Sequence, residues 1–396
     1  MKRIWIFCLT LFTTMNVLAL SLEETALNIL KGSRQYASEE LSFTAVSESL
    51  STQGNLPDPR LDGEFLAAPA GETDRWGAEV SWELEWPGVY NARKKEADLR
   101  VLAARKNLEA NRSQKLADIK ILLLDYILYT RKLALLEEMK SANDSITLFA
   151  ERASKAGEIT ILDLNKIKLE GANIYVAHAT LVNDLSDVIS GLNIEYGGDV
   201  SGLLSQMPVD FPPIEIPDAG MIRNLVEKTA EVEYARTEAE VARQGKSVAS
   251  MEALPSLSVG YKHAFEDGIH FNGATIGLSV PLFSSHNKQK AAKAAIAEAE
   301  NKLDLSREST LIRINETLKR VGLIKDQIEK IEPVLMNTDH SALLLKAYEK
   351  GVISLIDYLT ERNYFANAAM DFLSLKHEAA VTLIELNKYS PELNKF

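Results

Sequence analysis

The chain has 396 residues, more than one small core needs, and 46% of them are apolar and 25% charged. These fractions are ordinary for a folded protein and exclude wholesale disorder. The formal net charge of −12 argues against a nucleic-acid-binding protein, because phosphate binding needs a basic surface.

The N-terminus has the pattern of a secretory signal peptide. Two basic residues precede an apolar stretch from Ile4 to Leu11, and a Val-Leu-Ala sequence ends at Ala19. The pattern predicts a signal peptide over residues 1–19, cleaved after Ala19, with an N-terminal membrane anchor as the alternative. Removing its two positive charges changes the net charge from −12 to −14. The sole cysteine, Cys8, lies in this segment, so the exported chain would need packing or oligomerisation rather than a disulfide for stability.

After the signal segment, no stretch offers about 18 uninterrupted apolar residues. The most apolar run, IKILLLDYILYT, contains Lys120 and Asp125. A transmembrane helix is therefore not predicted. Two possibilities remain, a soluble protein or insertion into a membrane as β-strands.

The sequence repeats itself at a distance of 194 residues. AGEITILD at residues 156–163 matches KGVISLID at residues 350–357, and the register holds without a gap from Pro87 to Asn193. We interpret this as two tandem repeats, residues 20–195 and 218–396, joined by a linker rich in Gly and Pro over residues 196–217. Each repeat reads as a helix, a β-hairpin and a long α-helical hairpin.

Period-two alternation predicts strands over residues 60–67, 76–86, 256–265 and 271–282. The apolar positions of these strands include Trp82, Leu84, Trp86, Ile276, Leu278 and Val280, and the polar positions include Asp62, Glu64, Glu83 and Glu85. Alternation fits a half-buried sheet of a soluble protein as well as a membrane barrel. The tryptophans at both ends of one strand favour a barrel, with the apolar set facing lipid and the acids facing a wet lumen.

Long helices are predicted over residues 90–154, 159–193, 286–349 and 352–388. In the first of them an apolar row recurs every seven residues from Ile121 to Phe149, and a second row runs from Leu116 to Leu133. A seven-residue apolar repeat sustained over this length predicts coiled-coil packing. Two apolar rows on one helix predict that it has a neighbouring helix on each side, as in a ring of helices. A rod or a plain antiparallel bundle would produce the same pattern.

Four strands cannot close a barrel, and an open strand edge cannot lie in lipid. Membrane insertion therefore predicts a homo-oligomer, because about eight strands form the smallest barrel. A trimer would supply twelve strands.

The sequence resembles the TolC family of outer membrane efflux proteins in three features. They are the duplicated layout, SVPLF at the entry to the third long helix, and YEKGVISLIDYL at residues 348–359. The resemblance spans the mature chain. It implies a mainly α protein with transmembrane β-structure, in which a trimeric 12-stranded β-barrel in the outer membrane continues as an α-helical barrel in the periplasm. It also implies a passive duct without enzymatic activity or cofactor. The implied partners are a periplasmic adaptor (membrane fusion) protein, an inner-membrane pump of the RND type and outer membrane lipid.

Gly157 and Gly351 stand where a helix must stop and reverse, and glycine readily adopts the left-handed conformation of such a turn. The resemblance implies that the two turns form the periplasmic tip and meet the adaptor. It also places Asp357 in an acidic ring at the aperture, which would attract cations.

Two further tip residues follow from the resemblance. Tyr348 matches a tyrosine that hydrogen-bonds an acid on a neighbouring helix, and Asp163 matches that acid. Relatives often carry a second aspartate where this chain has Thr360, which predicts a less acidic or wider gate.

No enzyme motif or metal site is predicted. The six histidines are scattered, and His263 and His270, which flank a loop between strands, are a weak candidate for metal ligands. A periplasmic coiled-coil scaffold or adaptor without a barrel is the competing function. The chain is compact compared with many members of the family it resembles, and this resemblance favours heavy-metal cations as cargo, with drugs and proteins as alternatives.

Overall fold

The computed structural model describes residues 20–218, 220, 226–281, 283, 287–336 and 340–389. The predicted signal peptide, residues 1–19, lies outside the described residues. The helices and strands are, in chain order, α1 Leu22–Gly32, α2 Arg34–Ser51, β1 Arg60–Leu66, β2 Arg75–Leu84, α3 Pro87–Ala156, α4 Ile161–Tyr196, α5 Ser201–Leu204, α6 Ala230–Met251, β3 Ser256–Glu266, β4 Ile269–Ser279, α7 Lys288–Met336, α8 His340–Glu349 and α9 Leu355–Asn387.

Four long helices dominate the fold. The longest, α3, has 70 residues and extends about 105 Å at 1.5 Å per residue. It begins at Pro87, a position that proline favours because the first helical N–H has no partner in the helix. Within the described residues, no helix is both long and apolar enough to cross a membrane.

The predicted helix over residues 286–349 corresponds to α7 and α8, and residues 337–339 between them lie outside the described residues. Pro333 lies in the last turn of α7. Proline has no N–H to donate and its ring collides with the preceding turn, so a helix is weakened at such a residue.

The main core lies where α1, α3 and α4 pack together. Ile29 of α1, Ile119 and Leu123 of α3, and Leu192 of α4 are completely buried there. The apolar row from Leu116 to Leu133 thus faces this core. The other row is less buried, and Phe149 at its end is 50% exposed, so part of the coiled-coil face of α3 is exposed in the described part of a single chain.

The four strands form one antiparallel sheet in the order β1-β2-β3-β4. Each predicted hairpin is present, and β2 of the first pairs with β3 of the second, with Trp82 opposite Val259. This central pairing joins strands from the two halves of the chain. It leaves β1 and β4 as the edges of the sheet.

A charged network ties the sheet to the long helices. Arg93 of α3 donates to Glu85, which follows β2, and to Glu252, which follows α6, at 2.8–2.9 Å. Lys288 at the start of α7 binds the other oxygen of Glu252 at 2.8 Å. Elements from both halves of the chain thus meet at the base of the sheet.

Candidate functional site

The two predicted reversals have the same backbone geometry. Gly157 has φ 77° and Gly351 has φ 67°, both in the left-handed region that glycine adopts without strain. In the first turn the N–H of Glu158 donates to the carbonyl of Ala153 at 2.9 Å, and in the second the N–H of Val352 donates to that of Ala347 at 2.9 Å. These bonds satisfy carbonyl groups at the end of each helix.

Asp163 and Asp357 begin the outgoing helices. The hydroxyl of Thr160 accepts from the N–H of Asp163, whose carboxylate accepts from the N–H of Thr160, and Ser354 and Asp357 form the same pair of bonds at 3.1 and 3.2 Å. Such a reciprocal pair is a capping box. The hydroxyl of Ser354 also donates to the carboxylate of Asp357 at 2.7 Å. This bond, together with the one from the N–H of Ser354, lowers the pKa of Asp357.

The helices predicted over residues 159–193 and 352–388 begin two to three residues later in the structure, which places the two acids in the first turn. The residues directly after each glycine form the turn itself, so the helices begin at Ile161 and Leu355. The sequences Thr-x-x-Asp and Ser-x-x-Asp are the signal that would have predicted the caps.

The structure brings the two turns together. Ala150, Leu164 and Ile167 beside the first turn pack with Leu359 beside the second in one apolar cluster. A groove of about 660 Å³ lies between the turns, lined by residues that include Gly157, Asp163 and Ser354. The tip is therefore one structural unit within a single chain.

The other tip residues have partners of their own. The ring of Tyr348 lies 5.5 Å from that of Tyr358, and the hydroxyl of Thr360 donates to the carbonyl of Ile356 at 2.9 Å. Among the described residues of this chain, no hydrogen bond joins Tyr348 to Asp163. That contact stays a prediction.

Two contacts near the tip were missed from the sequence. The Nδ2 of Asn363 donates to Glu170 of α4 at 2.8 Å, and Arg362 donates to the carbonyl of Glu138 of α3 at 3.1 Å. Both residues lie on α9. They link the second helical hairpin to the first. No local sequence pattern predicts partners that lie about 190 to 220 residues away.

We expect Gly351→Ala to destabilise the tip by about 1 kcal/mol, because a Cβ is strained at a positive φ. Gly322→Ala is the matched control. Both glycines have open space where a Cβ would be added, and Gly322 has no positive φ within its helix. Hydrogen–deuterium exchange should show faster exchange of the amides at residues 347–357 in the first variant, and unchanged or slower exchange around residue 322 in the second. Equal exchange at the tip in Gly351→Ala and the unaltered chain would contradict the assigned turn.

The register of the sheet separates a polar face from an apolar one. Asp62 lies opposite Glu79, and Glu83 lies opposite Ser258. Because side chains alternate along a strand, Asp62, Glu64 and Glu83 share one face with Glu79. Thr275 of β4 donates to Glu79 at 3.0 Å.

Glu85 and Trp86 lie beyond the end of β2, although both were predicted in the strand. Pro87 starts α3 directly after them. Glu85 binds Arg93, and Trp86 occupies the position before the first helical residue. Val280 likewise follows the end of β4.

Most of the apolar face of the sheet is exposed in the described part of the single chain, with Trp82 and Leu84 half-buried. Its residues include Leu61, Phe65, Trp82, Leu84, Leu257, Val259, Ile276 and Leu278. Leu61 is 75% exposed and Ile276 79%. Trp82 donates its indole N–H to the carbonyl of Pro57 at 2.7 Å. A contiguous exposed apolar face of this kind marks contact with a membrane or another protein.

Solved structures of bacterial membrane proteins share this architecture. A membrane protein from Pseudomonas aeruginosa is 16% identical with a TM-score of 0.80, over 93% of this chain and 89% of that one. The CmeC outer membrane channel of Campylobacter jejuni is 16% identical with a TM-score of 0.78, over 93% and 85% of the two chains. The MtrE outer membrane channel of Neisseria gonorrhoeae, in its open state, is 13% identical with a TM-score of 0.75, over 94% and 88%. The chain has the fold of these outer membrane channels.

The resemblance inferred from the sequence is thereby confirmed at the level of the fold. No protein-family model matches the chain, and no curated protein matches it. Identities of 13–16% show that the layout of helices and strands, rather than individual side chains, carries the likeness.

Proposed function

We propose that this protein is the outer membrane channel of a tripartite efflux system, a passive duct without enzymatic activity. The observation that carries the proposal is the sheet with one exposed apolar face and one acidic face, continuous with long helices in the fold of outer membrane channels. An apolar face toward lipid and a polar face toward water are what a membrane barrel requires.

Three copies would complete the channel. One chain supplies four strands, and twelve strands from three chains would remove the free edges of β1 and β4. Apolar residues on the long helices, such as Phe149, Val176 and Leu323, are 50–67% exposed in one chain. In a ring they would pack against the neighbouring copies, which gives each long helix a partner on both sides. The two halves of the chain would act as tandem repeats, each supplying one helical hairpin to the ring.

The tip would be the gate and the contact surface for a periplasmic adaptor, itself bound to an inner-membrane pump of the RND type. Three copies of Asp357 would come near the channel axis, and Thr360 would not add a second acidic ring. The hydrogen bonds that the hydroxyl and the N–H of Ser354 donate to its carboxylate support the charge of Asp357, because they lower its pKa. Heavy-metal cations are the favoured cargo, since an acidic aperture concentrates cations.

Fractionation of cells tests the channel proposal. We expect the protein in the outer membrane fraction, as oligomers that migrate as trimers in unheated detergent extracts and as monomers after heating. Recovery in the periplasm without detergent would overturn the channel and favour the competing scaffold. The exposed apolar face of the sheet is the observation against a scaffold, because a soluble scaffold would leave that face in water.

Conductance in planar bilayers tests the gate. We expect Asp357→Asn to lower the preference for cations over anions, and Tyr348→Phe to raise conductance if a Tyr348–Asp163 bond holds the tip closed. Glu48→Gln, an exposed acid of α2 away from the tip, is the matched control and should leave selectivity unchanged. Unchanged conductance in Tyr348→Phe would show that no Tyr348–Asp163 bond holds the tip closed. Unchanged selectivity in Asp357→Asn would show that Asp357 does not form an acidic ring at the aperture.

A further inference from the structure

Two imidazole side chains meet at the end of the sheet where β3 turns into β4. The Nε2 of His263 on β3 and the Nδ1 of His270 on β4 lie 3.3 Å apart. The ring centroids are 5.3 Å apart and the ring planes are inclined by 28°. The two nitrogens are therefore much closer than the ring centres, and the nitrogen-bearing edges approach each other.

Asn272 determines which nitrogen of His263 carries the proton. Its Oδ1 lies 2.7 Å from the Nδ1 of His263 and also accepts from the hydroxyl of Tyr261 at 3.0 Å. An amide oxygen can only accept, so the proton of neutral His263 is on Nδ1. The lone pair of its Nε2 is then directed toward His270. Histidine ligands of metals are oriented in this way, by donating the other ring N–H to an oxygen.

We propose that His263 Nε2 and His270 Nδ1 form a binding site for a divalent transition-metal cation. With each nitrogen about 2.0–2.1 Å from the cation and 3.3 Å between them, the angle at the cation is about 104–111°, which suits tetrahedral coordination. Imidazole nitrogen favours Cu²⁺, Ni²⁺ and Zn²⁺ over Mg²⁺ and Ca²⁺, which prefer oxygen. In the absence of a cation, the 3.3 Å distance suits a hydrogen bond from His270 to His263.

Aromatic side chains hold the two imidazoles in place. The ring of Trp76 lies 5.2 Å from that of His263, and the ring of Phe265 lies 4.9 Å from that of His270. The described residues contain no group of three or more His, Cys, Asp or Glu side chains that could hold a metal. The site therefore supplies two protein nitrogens, and water completes the coordination.

This site goes beyond the proposed function and does not depend on it, because one β-hairpin supplies both ligands. By strand alternation His263 and His270 share the apolar face of Ile276, opposite the face of Glu79. The site is thus separate from the acidic face proposed to line the duct, and bound metal would bridge β3 and β4 at their exposed end.

Copper binding to the full-length chain in detergent, prepared without a histidine tag, tests the proposal. Cu²⁺ is the probe because it binds nitrogen sites most tightly among the divalent first-row metals. We expect one Cu²⁺ per chain, and nitrogen splitting from two imidazoles in the electron paramagnetic resonance spectrum. His263→Gln and His270→Gln should each weaken binding by at least about tenfold, and Asn272→Leu should weaken it by about tenfold while the spectrum keeps both imidazoles.

His178→Gln is the matched control. His178 lies on α4 beside Glu137, at 3.8 Å, and its loss should leave binding and spectrum unchanged. Circular dichroism would verify that every variant is folded. The proposal is overturned if His263→Gln and His270→Gln bind Cu²⁺ as tightly as the unaltered chain, or if His178→Gln loses as much affinity as they do.

Discussion

In the proposed outer membrane channel, Ile276→Arg should prevent stable membrane insertion, whereas Thr275→Arg should not. The two residues are neighbours on β4. Ile276 is 79% exposed on the apolar face, and Thr275 binds Glu79 on the acidic face. An arginine on the lipid face costs about 2–4 kcal/mol at the bilayer midplane and less toward the interfaces, and a trimer would carry three of them. An arginine at residue 275 would instead lie beside Glu79, in water.

The measurement is the amount of heat-modifiable oligomer in the outer membrane fraction, with total expression as the reference. We expect a loss of most of the oligomer for Ile276→Arg and little change for Thr275→Arg. Equal recovery of both variants would show that the apolar face does not contact lipid. Loss of both would show that β4 tolerates no arginine on either face, and the assignment of the two faces would then have no support.

Lys120→Met should lower the free energy of unfolding by about 3–5 kcal/mol, because it leaves the buried carboxylate of Glu23 without its charged partner. Lys120 of α3 forms an ion pair with Glu23 of α1, and the side chains are 8% and 13% exposed. Among the described residues, no group donates a hydrogen bond to the Oε1 of Glu23. Burial raises the pKa of Glu23, and the attraction of Lys120 only partly offsets this effect.

The sign of the pH dependence follows from the raised pKa of Glu23. A carboxyl group with a raised pKa in the folded state contributes most stability below its unfolded value of 4.5, where it is protonated, and loses that contribution as the pH rises through the folded value. Without Lys120 the pKa should rise further. Lys120→Met should therefore be closest in stability to the unaltered chain at acidic pH and furthest from it at neutral pH.

Thermal unfolding followed by circular dichroism measures these effects. The double variant Glu23→Gln with Lys120→Met removes both charges and should regain most of the lost stability. Lys302→Met is the matched control, because Lys302 and Glu298 form a pair on α7 that is 70% and 65% exposed, and exposed pairs stabilise little. A double variant no more stable than Lys120→Met would show that packing, rather than the unpaired charge, causes the loss.

Local patterns in the sequence were sufficient to predict the strands, the helix reversals and the buried side of the longest helix. Alternation between Glu83 and Leu84, and again between Thr275 and Ile276, determines which face of a strand is polar. Gly157 and Gly351 mark the reversals, because few other residues adopt a positive φ without strain. The apolar row from Leu116 to Leu133 determines which side of α3 is buried. In each case the physical cause acts within a few residues of the chain.

The tertiary structure decided what depends on distant partners. The pairing of Trp82 with Val259 joins the two β-hairpins into one sheet. The two strands are remote in sequence, and their alternation of polar and apolar residues does not distinguish them from the other strands. The pairing of Lys120 with Glu23 and of Asn363 with Glu170 depends on which helices pack together. Neither charge nor periodicity specifies such partners, because the chain contains many acids and many apolar rows that could pair in the same way. The packing of the helices determines which of them come into contact.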